Sequence, residues 1–265
     1  MSAPDPGTGI RVRQVILWRH GRTEWNMQRR FQGQADARLD EVGRAQARAA
    51  ARQLAAVRPR AIVSSDLSRA VQTAAELAAI TGLPVTVDAR LREGSLGYWE
   101  GLTREEVRAR YPREYADWVS GHPGRRGGGE LRSEVAARAV AGLAELPADV
   151  PADVPDDLSG GRSSDLATLP VVLVTHSATA MALTGYLLGL PESHWRAVAP
   201  LANCHWSELR RDVGGWQLRS HNVGVVTPRT PPVPEKVVEA ERVTPDPADA
   251  EALDGPGSSS AAPTP

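Results

Sequence analysis

The chain alternates short apolar runs with longer stretches that are rich in alanine and arginine. Four apolar runs of three or four residues are predicted to be strands, at 15–18, 61–63, 85–87 and 171–174. The first and the last of them are apolar at every position, which is typical of strands buried on both faces of a sheet. The pattern therefore predicts a sheet that is covered on both sides.

Helices are predicted between these strands, because the longer stretches place alanine and leucine on one face and arginine on the other. Thr103 and Glu106 have the spacing of a capping box and open one helix. Further helices are expected at about 40–57, 66–80, 133–146 and 178–188. Gly82 is the stop signal for the helix at 66–80. Strands separated by helices indicate βα units, and hence an α/β fold with a mostly parallel sheet.

Two segments do not fit this alternation. Residues 147–169 contain a duplicated Pro-Ala-Asp-Val and little to bury, so we expect a flexible surface excursion. Residues 228–265 are rich in proline, serine, alanine and acidic residues, which is typical of a disordered tail. The remainder predicts a single domain over 11–227.

Composition narrows the classes of function. The chain has 265 residues, 41% of them hydrophobic, which suits one sizeable core. The formal net charge of -1 argues against nucleic acid or an anionic membrane as a partner. Neither end carries an apolar segment long enough for a signal sequence or a membrane span. Cys204 is the single cysteine, as expected in a reducing compartment, so a cytoplasmic protein is predicted.

Cationic side chains follow three of the predicted strands. Arg19 and His20 come directly after the first strand, and His176 follows the last. Arg69 lies in the first turn of the helix that follows the second strand. In open α/β sheets, ligands bind beyond the carboxyl ends of the strands. These side chains are therefore expected to converge on one anion.

The motifs that carry these residues resemble a known family. They are Arg-His-Gly-x-Thr-x-x-Asn, which includes Arg19, His20 and Asn26, then Ser-Ser-Asp-Leu-x-Arg-Ala with Arg69, Leu-Arg-Glu with Glu93, and Thr-His-Ser around His176. Over about residues 12–222, their order and spacing resemble the histidine phosphatase (phosphoglycerate mutase-like) superfamily. The resemblance implies a three-layer sandwich with helices on both sides of the sheet, and a homodimer.

The resemblance also implies roles for the site residues. A neutral His20 would attack a phosphoryl group in line and form a phosphohistidine, with its other ring nitrogen donating to a carbonyl near Gly21. Arg19, Arg69 and a protonated His176 would bind the phosphoryl oxygens. Asn26 and Gln32 would add neutral hydrogen bonds. Glu93 would give a proton to the leaving alkoxide and later take one from water.

No cofactor is expected in this scheme, and no metal, since the histidines have none of the spacings of zinc sites. His122, His194, His205 and His221 are interpreted as surface or strand-packing residues. Cys204 and Arg210 have the C-x5-R spacing of cysteine-dependent phosphatases. The residues between them are bulky and glycine-free, so they do not suit a phosphate-binding loop.

The expected partner is a small-molecule phosphate ester. Glu93 is followed by Gly-Ser-Leu-Gly-Tyr-Trp-Glu-Gly, where mutases of the family have Arg-His-Tyr-Gly, and this favours a phosphatase. A 2,3-bisphosphoglycerate-dependent phosphoglycerate mutase and a non-catalytic binding module on the same fold remain as alternatives. Arg22 departs from the family pattern after Arg-His-Gly and could alter substrate preference.

Overall fold

The structure is a computed structural model, and it describes residues 9–146 and 169–225. The strands of this part are β1 Gln14–Arg19, β2 Ala61–Ser64, β3 Val85–Val87, β4 Val171–Thr175, β5 Trp206–Asp212 and β6 Gly215–Val223. The helices are α1 Glu24–Met27, α2 Glu41–Ala56, α3 Ser68–Thr81, α4 Arg104–Arg110, α5 Pro112–Ser120, α6 Arg132–Ala144 and α7 Ser177–Leu187. Short 3-10 helices occupy Ala89–Leu91, Gly97–Trp99, Arg126–Gly128 and Glu192–Ala197.

The strands form one sheet in the order β3-β2-β4-β1-β5-β6. Strands β3, β2, β4 and β1 are parallel to one another, whereas β5 and β6 are antiparallel to their neighbours. The prediction of a mostly parallel sheet is therefore confirmed. The three strands that precede the predicted site residues, β2, β4 and β1, are adjacent. Their carboxyl ends consequently meet at one edge of the sheet.

Both faces of the sheet are buried. In β1, Val15 and Leu17 pack into one apolar cluster, and Ile16 and Trp18 pack into a second cluster on the opposite face. Alanines of α2 and α3 cover the second cluster, and residues of α6 and α7 cover the first. The protein thus has three layers, helices on either side of a central sheet, as predicted.

The helix ends follow from local sequence. Asp40 caps α2 by accepting a hydrogen bond from the amide of Gly43 at 2.7 Å. Gly82 ends α3 in the left-handed conformation, at a φ of 71°. Thr103 and Glu106 form the predicted capping box of α4. Each of the four helices predicted with bounds is observed within about two residues of its predicted limits.

Some expectations fall outside the part of the chain that the structure describes. The tail, 228–265, lies there entirely, and so does the excursion at 147–169 apart from Leu169. The single domain over 11–227 stays a prediction. Among the described residues, no helix is long and apolar enough to cross a membrane.

Candidate active site

His20 lies at the carboxyl end of β1 and is only 3% exposed. Its Nδ1 is 2.7 Å from the carbonyl oxygen of Gly21, an atom that can only accept a hydrogen bond. Nδ1 therefore carries the proton, and Nε2 has a free lone pair. Burial, followed by the charges of Arg69 and Arg19, holds the pKa of His20 well below its usual range. The imidazole is consequently neutral and nucleophilic at physiological pH.

Two glycines allow the loop after His20 to lie directly on α2. A Cβ on Gly21 would lie 2.5 Å from the carbonyl oxygen of Gly43. A Cβ on Gly43 would lie 2.0 Å from the carbonyl oxygen of Arg22. Real side chains do not tolerate such contacts with backbone atoms. The close approach thus fixes the position of the main chain that carries His20.

Arg69 is fully buried in the first turn of α3. Its Nη1 and Nη2 each donate to a carbonyl oxygen at 2.7 Å, those of Ala35 and Gly33. Its Nε donates to Nδ1 of His176 at 3.2 Å. Burial lowers the pKa of Arg69 to about 10, so the guanidinium remains charged at neutral pH. One further N–H on each terminal nitrogen is left for an anion.

Arg19 is the last residue of β1, and one nitrogen of its guanidinium group is hydrogen-bonded to the described part of the protein. Its Nη1 donates to the carbonyl oxygen of Leu201 at 2.5 Å. Its Nε is buried and has no hydrogen-bond partner among the described residues. Burial lowers the pKa of Arg19, against the opposing effect of the Glu93 carboxylate. An unpaired buried N–H on a cation favours a site for an anion.

His176 precedes α7 as its N-cap residue and is fully buried. Its ring centre lies 5.1 Å from that of His20. Nδ1 accepts from Arg69, so Nε2 carries the proton and donates to Oγ of Ser65 at 2.9 Å. Burial, and after it the charge of Arg69, holds the pKa of His176 well below its usual range.

These contacts make His176 neutral, which differs from the protonated residue expected from the sequence. His176 is also absent from the residues that line the cavity beside His20. A direct contact with a bound anion would require the ring to release Arg69 or Ser65. That contact stays a prediction, and in this structure His176 supports Arg69 and His20 from behind.

Glu93 reaches the same cavity from the loop that follows the 3-10 helix Ala89–Leu91. Its Oε1 accepts from the amides of Gly94 at 3.0 Å and Thr179 at 3.2 Å, and its Oε2 accepts from the amide of Ala178 at 3.2 Å. The carboxyl group thus lies on the N-terminal turn of α7, where the helix dipole favours negative charge. Arg138 fixes the main chain here, because its Nη2 donates to the Glu93 carbonyl at 3.0 Å.

Asn26 and Gln32 also line the cavity. The side-chain oxygen of Gln32 accepts from Oγ1 of Thr23 at 3.0 Å. That of Asn26 accepts from the amide of Thr23 at 3.1 Å and from Nδ2 of Asn203 at 3.2 Å. Both oxygens are therefore occupied, whereas the two amide nitrogens have no protein partner within the described ranges. The nitrogens are the ends that can donate to an anion.

The cavity has a volume of about 560 Å³ and brings together Arg19, His20, Asn26, Gln32, Arg69 and Glu93. The sequence analysis missed other residues in its wall, namely Trp118, Arg30, Arg104, Arg126, Arg132 and Arg196. Nothing in the sequence marks those arginines, since lysine and arginine together number 31 and only Lys236 is lysine. Their grouping depends on tertiary structure.

The other candidates lie away from the cavity. Cys204 is buried in the core, burial raises the pKa of its thiol to about 12, and Arg210 is exposed on β5. Arg22 pairs with Asp40 at 2.8 Å and is not part of the cavity wall. His122 and His194 are exposed, whereas His205 and His221 are half-buried beside β5 and β6, as interpreted from the sequence. No group of metal-binding side chains is present in 9–146 and 169–225.

A buried neutral histidine beside two arginines, at the carboxyl edge of a parallel sheet in a three-layer sandwich, is an arrangement suited to phosphoryl transfer. The sequence profile of the Histidine phosphatase superfamily (branch 1) matches residues 15–224. The chain belongs to this superfamily.

Individual relatives within the superfamily indicate which activity the chain has. The chain is 43% identical over 200 residues to glucosyl-3-phosphoglycerate phosphatase of Mycobacterium tuberculosis, covering 76% of this chain and 86% of that protein. The solved structure of the mycobacterial enzyme in complex with VO3 matches with a TM-score of 0.70 and 39% identity, over 80% of this chain and 100% of that one. A probable phosphoglycerate mutase of Photorhabdus laumondii is 34% identical over 208 residues, 77% of this chain and 87% of the mutase. The chain is a phosphatase, that is, a phosphoric monoester hydrolase.

Proposed function

We propose that the chain hydrolyses glucosyl-3-phosphoglycerate through a phosphohistidine on His20. The observation that carries the proposal is the bare Nε2 of His20, which belongs to a buried neutral ring in the cavity wall. The substrate is suggested by the relatives that carry this name, at 42% to 43% identity. Glucosyl-3-phosphoglycerate is also a polyanion, and it would enter a cavity whose wall contains seven arginines.

In the first step, Nε2 of His20 attacks phosphorus in line while the ester P–O bond breaks. Arg19 and Arg69 stabilise the charge on the transferred oxygens, and the amide nitrogens of Asn26 and Gln32 donate to the same group. Glu93 must carry a proton for this step, and it gives that proton to the leaving alkoxide. The products of this step are the free alcohol and phosphohistidine. The carbonyl of Gly21 holds the Nδ1 proton throughout, which stabilises the ring as it gains positive charge.

In the second step, water attacks phosphorus and the N–P bond breaks. The Glu93 carboxylate takes a proton from that water, so the residue returns to its acid form. Inorganic phosphate leaves, and His20 is again neutral. His176 supports this sequence from behind the site, because it holds Nε of Arg69 at 3.2 Å and its ring packs against His20.

The setting of this reaction is also proposed. Residues 11–227 would form a single domain, and the chain would act as a homodimer in the cytoplasm, as its family resemblance and its single cysteine suggest. Gel filtration with light scattering measures the mass directly. A monomer at micromolar concentration would rule out the dimer.

The decisive experiment is release of inorganic phosphate from a panel of esters. Glucosyl-3-phosphoglycerate and 3-phosphoglycerate are compared side by side, with 2,3-bisphosphoglycerate present and absent. We expect phosphate release with the highest kcat/KM for the glucosylated ester. Conversion of 3-phosphoglycerate to the 2-isomer without phosphate release would establish a mutase. Binding without turnover of any ester would establish a non-catalytic module.

A further inference from the structure

Three arginines from separate segments line the cavity in addition to those beside His20. Arg126 belongs to the 3-10 helix Arg126–Gly128, Arg132 is the first residue of α6, and Arg196 belongs to the 3-10 helix Glu192–Ala197. Arg126 and Arg132 are half-buried, and Arg196 is exposed at the surface. We call these three residues the arginine triad.

The triad has no counter-ion at ion-pair distance among the described residues. Arg126 lies over the ring of Trp118 at 5.9 Å. Among the residues that the structure describes, Arg196 donates only to the carbonyl oxygen of Val119, at 3.3 and 3.4 Å. Nε of Arg132 is buried and has no hydrogen-bond partner in the same part of the chain. By contrast Arg125, the neighbour of Arg126 in sequence, forms a salt bridge with Glu134.

Glycines hold the segments that carry two of these side chains. A Cβ on Gly97 would lie 1.9 Å from the carbonyl oxygen of Gly127, so the segment of Arg126 packs directly on the loop that follows Glu93. A Cβ on Gly121 would lie 2.1 Å from Nη1 of Arg196. Gly97 and Gly121 both have positive φ, at 49° and 87°. Close backbone packing thus fixes the segment of Arg126, and the missing side chain at Gly121 leaves room for the guanidinium group of Arg196.

Like charges face one another in this group. Burial, followed by the charge of Arg132, lowers the pKa of Arg126 to about 10, and burial with the charge of Arg196 lowers that of Arg132. Glu93 opposes the shift of Arg126, and Glu192 opposes that of Arg132. Arginine side chains carry a positive charge at neutral pH, so these three repel one another. An anion bound among them would relieve their repulsion and satisfy the buried Nε.

We propose that the arginine triad binds the carboxylate of a phosphorylated hydroxy acid while the phosphate of the same molecule lies against His20. The inference rests on the proposed function and adds the group that separates this substrate class from other phosphate esters. The planar forks of arginine match a carboxylate with paired N–H donors. One cavity of about 560 Å³ is lined both by the triad and by His20, so both groups of the molecule would enter the same space.

A matched pair of substrates tests the proposal. 3-Phosphoglycerate and glycerol 3-phosphate differ only where the first has a carboxylate and the second a hydroxymethyl group. We expect wild-type kcat/KM to favour 3-phosphoglycerate. Arg126→Gln, Arg132→Gln and Arg196→Gln should each reduce that preference, by roughly 10- to 100-fold for the half-buried pair. Rates on glycerol 3-phosphate, which has no carboxylate, should fall much less than those on 3-phosphoglycerate, and urea unfolding reports whether each variant is folded.

Arg125→Gln is the control, because it removes the same charge from the adjacent position outside the cavity wall. It should leave the preference unchanged. No preference in the wild type, or equal losses on both substrates in the triad variants, would overturn the proposal. Calorimetric binding of both compounds to full-length His20→Ala needs no turnover. Tighter binding of 3-phosphoglycerate there, lost with Arg132→Gln, would support the triad even if no ester were hydrolysed, and equal binding would count against it.

Discussion

The carboxyl group of Glu93 is hydrogen-bonded to the main chain of Thr179, whose amide donates to Oε1 at 3.2 Å. Oγ1 of Thr179 donates in turn to the carbonyl oxygen of Arg92 at 2.7 Å, so the two segments are joined at Glu93 and at the residue before it. Thr179 lies in the first turn of α7, the helix that His176 caps. The proposed proton donor is thus fixed to the helix that starts beside His20, the proposed nucleophile.

Glu93→Gln keeps the size of the side chain and removes the acid. An alkoxide needs a proton to leave and a nitrophenolate does not, so phosphohistidine formation should fall by about 10² to 10⁴-fold on 3-phosphoglycerate and far less on p-nitrophenyl phosphate. Single-turnover rates measure this, because in the proposed scheme Glu93 also acts in the second step. Glu105→Gln, on the exposed side of α4, is the control. Equal losses on both esters would mean that Glu93 only orients the substrate.

Arg138 should act through Glu93. Its N–H groups donate to the carbonyl oxygens of Arg90, Arg92 and Glu93 and to both carboxylate oxygens of Glu130, at 2.6 to 3.0 Å. Lysine cannot make this set of bonds. Arg138→Lys should therefore reduce single-turnover rates more on 3-phosphoglycerate than on p-nitrophenyl phosphate, the signature of a displaced acid.

A measurement of stability tests whether Arg138 positions Glu93 or only stabilises the fold. Arg138→Lys should also lower the free energy of unfolding by about 1–3 kcal/mol, since carbonyl groups lose their donors. Arg52→Gln, on the exposed face of α2, serves as the control for loss of charge. A loss of stability with an unchanged ratio between the two esters would show that Arg138 does not position Glu93.

His20→Ala should abolish turnover and the trapped phosphoenzyme, whereas Cys204→Ser should leave both nearly intact. Cys204 is buried, and the raised pKa of its thiol, about 12, keeps it protonated at neutral pH. A thiol is a weak nucleophile compared with a thiolate. Acid-labile ³²P on the protein distinguishes phosphohistidine from an acid-stable phosphocysteine. Labelling that survives in His20→Ala and disappears in Cys204→Ser would reverse the assignment.

Stability should fall below about pH 6.5 because two histidines are buried in the neutral form. The pKa of His20 and of His176 is well below 6.5 in the folded state, so the unfolded chain binds more protons there. Their contribution is complete above the unfolded pKa and is lost as pH falls towards the folded values. The slope is at most about 1.4 kcal/mol per pH unit for each histidine.

Urea unfolding between pH 5 and 7.5 measures this slope. His176→Asn should remove about half of the histidine contribution, and His122→Ala, at an exposed position, should leave the slope unchanged. Parallel stability curves for the wild type and His176→Asn would show that His176 titrates normally in the folded protein.

Phosphatase activity should survive a strong chelator, because Arg19 and Arg69 supply the charge that a cation supplies in metal-dependent phosphatases. Turnover is measured after dialysis against EDTA, with Arg69→Gln compared under the same conditions. Arg69→Gln should lose activity, and neither magnesium nor zinc should restore it. Inactivation of the wild type by EDTA, reversed by either ion, would contradict this.

The sequence was sufficient for the parallel part of the fold. β1 and β4 are apolar at each central position because both faces are covered, and the helices around Asp40, Gly82 and Thr103 begin or end at residues with a local capping role. The apolar pattern of the sequence does not predict strands β5 and β6. Arginine, glutamate and histidine interrupt their apolar positions, and their pairing with β1 and with each other is non-local.

Within the site, the sequence indicated residues that occupy strand ends, since a strand end is a local signal. It could not indicate Arg126, Arg132 or Arg196, because each comes from an irregular segment or helix start, and arginine is common throughout the chain. The sequence also could not predict that His176 is neutral. That state depends on Arg69 and Ser65, which are distant in sequence and meet His176 only through the sheet.

The parallel pairing of β1 with β4 has a consequence for how the enzyme matures. Val15 lies opposite Val171, on the order of 150 residues later in the chain, and the same register sets Arg19 opposite Thr175. A nascent chain that has left the ribosome up to α6 contains His20, Arg69 and Glu93 but not the strand between β1 and β2. Pairing of such high contact order is slow relative to local helix formation. Phosphatase activity would therefore be acquired only after synthesis passes β4 and α7, so that partly made chains cannot consume phosphate esters.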